Sequence, residues 1–341
     1  MTQPTERASG FAAYITVTVA YWAFMLTDGA LRMLVLLHFH TLGFSPVQLA
    51  YLFLLYEIAD VVTNLSAGWI ANRFGLTSTL YAGLSLQVLA LLTLTQLDSA
   101  WSISFSVLFV MLVQGLSGVA KDLSKISSKS AVKILAPVSG GGLFRWVAIL
   151  TGAKNAMKGI GFLLGAVLLT TLGFLPSLLT MAGILFIILI GVVIGMPKDL
   201  TVGRKEAKFS DIFSKNLNIN WLSAARLFLF SARDVWFVVG IPIYFYAVLS
   251  EGSKEGDRLA FFIIGAFMAV WTILYGTVQS YTPFILKAAS RSEAKILALA
   301  KKWVSMLIIV PAFLSVLVAV CPAIFSVGLP FSSCALRLDV F

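Results

Sequence analysis

Charge is what this sequence has least of. Asp, Glu, Lys and Arg make up 12% of its 341 residues, about half the roughly 25% of a soluble domain. Together with 59% hydrophobic residues and a mean hydropathy of +0.95, that shortage excludes an ordinary water-soluble domain and points to a polytopic membrane protein. Cysteine is almost missing. Cys321 and Cys334 are the only two, and their spacing offers neither a disulfide framework nor a metal site. Histidine is confined to the "HFH" of His38 and His40; no further ligand is recognisable nearby, so an interfacial role is expected and no metal. Walker, nucleophile-elbow and HExxH patterns are lacking, which leaves no sign of ATP as energy source, of a cofactor or of a catalytic residue. The short alternating strands of an outer-membrane barrel are lacking as well.

What is there in quantity is long apolar runs. About 20 residues of helix cross a ~30 Å hydrocarbon core, and helices satisfy their own backbone hydrogen bonds in lipid. Nine spans are expected, near 11–37, 46–70, 77–97, 101–120, 144–170, 175–196, 217–247, 259–283 and 303–326. The opening "MTQPTERASG" is short and polar, and the run after it is too long for a signal-peptide core, so it reads as the first span. The fold class is therefore all-α: a six-helix bundle over 1–197, a basic cytoplasmic linker over 198–216, and a partial bundle over 217–341.

The net charge of +10 has a topogenic explanation and needs no nucleic acid. Lys and Arg collect in cytoplasmic loops. With the amino terminus inside, those loops hold Arg73; Lys121, Lys125, Lys129 and Lys133; Lys198, Arg204, Lys205, Lys208 and Lys215; and Lys287, Arg291, Lys295, Lys301 and Lys302. Outside loops hold only Lys254 and Arg258, beside Glu251, Glu255 and Asp257. The stretch "VAKDLSKISSKSAVKIL" has lysine at every fourth position, with Val119, Leu123, Ile126 and Ile134 on its other side. It reads either as a basic amphipathic helix on the inner membrane surface or as a lysine-rich topogenic loop.

Charges inside the spans carry the functional information, because such residues face a bundle interior or a wet cavity. The cations are Arg32, Lys154, Lys158, Arg226 and Arg233; the anions are Asp28, Glu57, Asp60 and Asp234. Thr151, Lys154, Asn155 and Lys158 form one polar stripe on span five, and Asn220, Ser223, Arg226 and Arg233 form another on span seven. Two lysines one turn apart repel each other. Either each neutralises a carboxylate on another helix, or together they hold something with more than one negative charge, such as a phosphate-like group. Arginine's planar fork suits the same ligand. Asp28 and Arg32, four residues apart, are placed to pair locally. Glu57 and Asp60, one turn apart, suit a proton carrier, since two close carboxylates in low dielectric do not both ionise; ion pairing with the cations above is the alternative.

"GWIANRFGLT" resembles the cytoplasmic loop signature of major facilitator transporters through Gly68, Arg73 and Gly75, with Asn72 where that superfamily usually has aspartate. Within it, the stretches "YWAFMLTDGALRMLVLLHFHTLGFSP", "LSGVAKDLSKISSKSAVKIL", "RWVAILTGAKNAMKGIGFLLG" and "SAARLFLFSARDVWFVVGIPIY" resemble the ArsJ-type organoarsenical efflux permeases. The resemblance implies a bacterial inner-membrane antiporter, and export of 1-arseno-3-phosphoglycerate, the product that glyceraldehyde-3-phosphate dehydrogenase forms from arsenate. That dehydrogenase would be a functional partner, the cargo a small anion, and the result arsenic resistance. It also implies twelve spans, whereas the ninth closes near Ser326 and "VGLPFSSCALRLDVF" is too short and polar for another; the second bundle is expected to be incomplete. The expected substrate-binding residues are Lys154, Lys158, Arg226, Arg233, Asn155 and Arg32, with Glu57, Asp60 and Asp28 in proton coupling and Gly68, Arg73 and Gly75 in the gating loop. The competing expectations are a facilitator for another organic phosphate or sugar acid, and a truncated, non-transporting membrane protein.

Overall fold

A computed structural model describes residues 4–98, 100–135, 142–196, 240–249 and 254–285, with scattered helical positions between 217 and 228 and between 298 and 316. Regular structure among the described residues is entirely helical. The elements are α1 (Pro4–Thr41), α2 (Pro46–Leu52), α3 (Leu54–Leu94), α4 (Ile103–Leu135), α5 (Gly142–Thr171), α6 (Phe174–Gly195), α7 (Ile241–Leu249) and α8 (Lys254–Ile285). Five stretches are long and apolar enough to cross a bilayer: Ile15–Thr41, Trp69–Leu94, Ile103–Ala131, Phe174–Gly195 and Leu259–Tyr281. This is a multi-pass helical membrane protein. The fifth expected span coincides with a 30-residue helix, α5, which carries Lys154, Asn155 and Lys158 and is not among those five.

The chain divides into a unit of Met1–Ser280 and a second of Tyr281–Phe341. In the second, described residues such as Lys301, Lys302, Trp303 and Phe313 are helical and exposed. In the first, α1 is the most buried of the five spanning stretches, and α6 is the most apolar and the least buried. That inversion fits a bilayer, where lipid is as apolar as leucine and the polar side chains are the ones that gain from turning inward. Phe24, Leu31, Leu34 and Val35 of α1 form the core with Leu80, Leu84 and Leu91 of α3 and Leu178 and Leu185 of α6.

Small residues set the closest helix contacts. A Cβ on Gly161 would overlap the Leu26 carbonyl of α1, and one on Gly165 the Ala30 carbonyl. On the other side of α5, Gly152 lies against Gly276 and Ser280, Gly159 against Ala269 and Thr272, and Ala166 against Gly265. Residue numbers fall on α8 as they rise on α5, so these two helices run antiparallel. Such approach is how helices gain packing energy where burial in oil supplies none.

The run named α3 is two limbs. Gly75 breaks it with φ 76° and ψ −178°, a region that glycine enters without a Cβ penalty. Tyr56 and Thr63 meet Gly118 and Asp122 of α4 in ascending order. Gln87, Gly83 and Leu76 meet Ser117, Ser124 and Ser127 in descending order. The first limb therefore runs parallel to α4 and the second antiparallel, and the chain reverses at Gly75. That residue and Arg73 belong to the expected loop signature; Gly68 lies within the first limb.

One sequence expectation is corrected. "VAKDLSKISSKSAVKIL" forms neither a surface helix nor a loop; it continues α4 as far as Leu135. Its polar side faces the bundle: Asp122, Ser124, Ser127 and Ser128 are buried, and the Ser127 hydroxyl donates to the Leu76 carbonyl at 2.9 Å. Serines and glycines permit an approach to α3 that a row of larger apolar residues would block.

Candidate functional site

Four helices each bring charged or polar groups one turn apart to a common centre. α1 brings Asp28 and Arg32, the first limb of α3 Tyr56 and Asp60, α4 Lys121 and Lys125, and α5 Lys154 and Lys158. Four-residue spacing puts both members of each pair on one face.

Tyr56 is the hub. It is fully buried, and its hydroxyl donates to Asp28 Oδ1 at 2.6 Å. The Arg32 guanidinium lies 3.8 Å from the ring centroid and the Lys121 ammonium 4.3 Å. An aromatic ring is negative on its faces and positive at its edge, so one neutral side chain holds two cations by its faces and an anion by its hydroxyl. Each cation–π contact of this desolvated kind contributes up to ~2 kcal/mol. Asp28, 1% exposed, has Lys158 Nζ at 3.6 Å from its other oxygen. Arg32, 2% exposed, is bonded to Glu57 Oε1 at 2.8 Å. Arg32 thus takes Glu57 as its acid, while Asp28 turns to Tyr56 and Lys158. A small cavity lined by Arg32, Met33, Leu36, Phe162 and Met268 adjoins it, with room for about one water.

A second set lies beyond Tyr56. Lys121 Nζ is 2.5 Å from Asp60 Oδ1, and Lys125 Nζ is 3.6 Å from the same oxygen and 3.1 Å from Asp122 Oδ1. The Thr63 hydroxyl donates to Asp122 Oδ2. Glu57 and Asp60 are therefore in separate ion pairs, Glu57 with α1 and Asp60 with α4.

Lys154 is different from every other charge here. Asp28, Glu57, Asp60 and Asp122 are all engaged by other cations, and among the described residues Lys154 has no carboxylate partner. Asn155, expected on the same stripe, instead donates from Nδ2 to Gln279 Oε1 of α8 at 2.5 Å. The stripe on α5 thus divides, with Lys158 directed to α1 and Asn155 to α8.

Arg226, Arg233, Asp234 and Ser223, and the linker over 198–216, lie outside the described residues. His38 stacks on Phe174 with centroids 3.9 Å apart, and His40 meets Tyr246 edge-on at 4.3 Å. Sequence reasoning missed Tyr56, and it took Lys121, Lys125 and Asp122 for loop residues. The signal was present: Ser117, Gly118, Ser124, Ser127 and Ser128 continue a small, helix-compatible face past residue 120. Against known proteins, no family model matches the chain and no curated protein matches it.

Proposed function

We propose that this protein is a secondary active exporter of a small organic polyanion, working by alternating access in a bacterial inner membrane with its amino terminus in the cytoplasm. The observation that carries the reading is Lys154, which has no carboxylate partner among the described residues while Asp28, Glu57, Asp60 and Asp122 are engaged by other cations. The charged form of such a lysine inside a bundle is expensive unless an anion compensates it, and in this reading the cargo supplies that anion. The cargo that fits the sequence resemblance to the ArsJ-type permeases is 1-arseno-3-phosphoglycerate, supplied by glyceraldehyde-3-phosphate dehydrogenase acting on arsenate.

Lys154 and Lys158 anchor the anion in this scheme, with Arg226 and Arg233 of the major facilitator-type second bundle completing its coordination. Cargo that takes Lys158 releases Asp28, and a carboxylate left without its cation in low dielectric gains a proton. Asp28 thereby links cargo to protons.

The test is uptake by everted vesicles under a proton gradient, with the cargo generated in the assay by the dehydrogenase and arsenate. Lys154→Gln and Lys158→Gln are expected to abolish uptake while the protein remains in the membrane at its normal level. Unchanged uptake in both refutes the binding role.

A further inference from the structure

The two oxygens of Asp28 are held unequally. Oδ1 accepts a short hydrogen bond, 2.6 Å, from the Tyr56 hydroxyl of α3. Oδ2 is buried and accepts no hydrogen bond among the described residues; the Lys158 ammonium of α5 stands 3.6 Å from it. The carboxylate is 1% exposed and the Lys158 side chain 20%, so the lysine is the partner with room to leave. The other charged groups facing Asp28 are Arg32 of its own helix and Lys121 of α4, and these are bonded to Glu57 and Asp60. The neighbouring α6 carries no titratable residue.

Tyr56, by contrast, is fixed. Its ring lies against Arg32 and Lys121, and its backbone is so close to α4 that a Cβ on Gly118 would come 2.8 Å from the Tyr56 carbonyl oxygen. Its hydroxyl serves both forms of Asp28, because the unprotonated oxygen of a carboxylic acid still accepts a hydrogen bond.

We propose that Tyr56 is the positioning residue for proton exchange: by occupying Oδ1 of Asp28 it leaves Oδ2 as the one oxygen open to either Lys158 or a proton. This rests on the reading of the protein as an anion carrier with Asp28 in proton coupling. While Lys158 stays on Oδ2, both oxygens are taken and no proton enters. When cargo draws Lys158 away, an O–H bond forms on Oδ2; it breaks when the lysine returns. The proton comes from water and goes back to water, and Lys158 remains an ammonium throughout. An empty carrier therefore turns over without a proton. Without the hydroxyl, Oδ1 is open while Lys158 still holds Oδ2, and protons cross without cargo.

The experiment uses the full chain in liposomes of phosphatidylethanolamine and phosphatidylglycerol under a pH gradient. A trapped pH dye reads proton flux with and without cargo generated by the dehydrogenase and arsenate, after subtraction of liposomes lacking the chain. A hydrogen bond to a buried charge favours one geometry by about tenfold or more, so Tyr56→Phe should lower the ratio of cargo-dependent to cargo-independent proton flux about tenfold. A structural role alone lowers both fluxes together, and an unchanged ratio in the folded variant overturns the proposal. The unaltered protein covers the case in which Tyr56→Phe fails to fold: its proton flux should require cargo, and a cargo-independent flux of equal size overturns the proposal. Either result leaves the carrier reading standing. No cargo-dependent flux in the unaltered protein sinks the carrier reading and this inference with it.

Discussion

Replacing Tyr56 tests whether the buried charges act as one assembly. Tyr56→Phe keeps the ring against Arg32 and Lys121 and deletes only the hydroxyl that donates to Asp28 at 2.6 Å. Hydrogen bonds between membrane helices average ~0.6 kcal/mol. This one has a buried, charged acceptor, the kind that contributes ~1.5–3 kcal/mol, so the expected loss is about 2 kcal/mol. Tyr56→Leu also deletes both cation–π contacts, each ~0.5–2 kcal/mol; its expected loss is about 4 kcal/mol. The assay is unfolding in mixed micelles by increasing dodecyl sulfate, followed by circular dichroism. A Tyr56→Phe protein as stable as the parent, or one as damaged as Tyr56→Leu, refutes the assignment of separate roles to hydroxyl and ring.

Two further outcomes follow from the same geometry. Glu57→Gln removes the carboxylate from Arg32, a guanidinium only 2% exposed, and should cost about 3–5 kcal/mol; the double change Arg32→Met with Glu57→Leu should regain most of it. A double variant no more stable than the single one, judged by monodispersity after heating, contradicts the pairing. Gly161→Val places its Cβ on the Leu26 carbonyl and should destabilise by about 1–3 kcal/mol through overpacking. Gly183→Ala, with nothing near its added carbon, should be neutral in the same assay, and equal effects would undermine the close α1–α5 contact.

Hydropathy made most of the described helices legible, because chain length and apolarity alone decide whether a segment suits the bilayer. It also found the charges, since each is conspicuous in oil. Pairing was not legible. Asp28 and Arg32 stand at a spacing that favours a local bond, yet Arg32 reaches α3 and Asp28 reaches both Tyr56 and Lys158; which helices are neighbours is decided by contacts remote in sequence. Lys121 and Lys125 were hidden for a different reason. A row of lysines is the ordinary mark of a cytoplasmic loop, and only the depth to which α4 continues shows that these ammonium groups have Asp60 and Asp122 to meet. Tyr56 gave no signal because a tyrosine in an apolar run is ordinary packing until two cations are found on its faces.

The reversal at Gly75 has a bearing on how the chain reaches the bilayer. Its first limb carries Glu57, Asp60 and Arg73 and is a poor candidate for lateral release from a translocon by itself. The second limb, joined through one residue and without slack, is far oilier. The two are therefore expected to leave the insertion machinery as a hairpin, the later half drawing the earlier one in, with Glu57 already able to meet Arg32 of α1 and Asp60 still waiting for the lysines of α4.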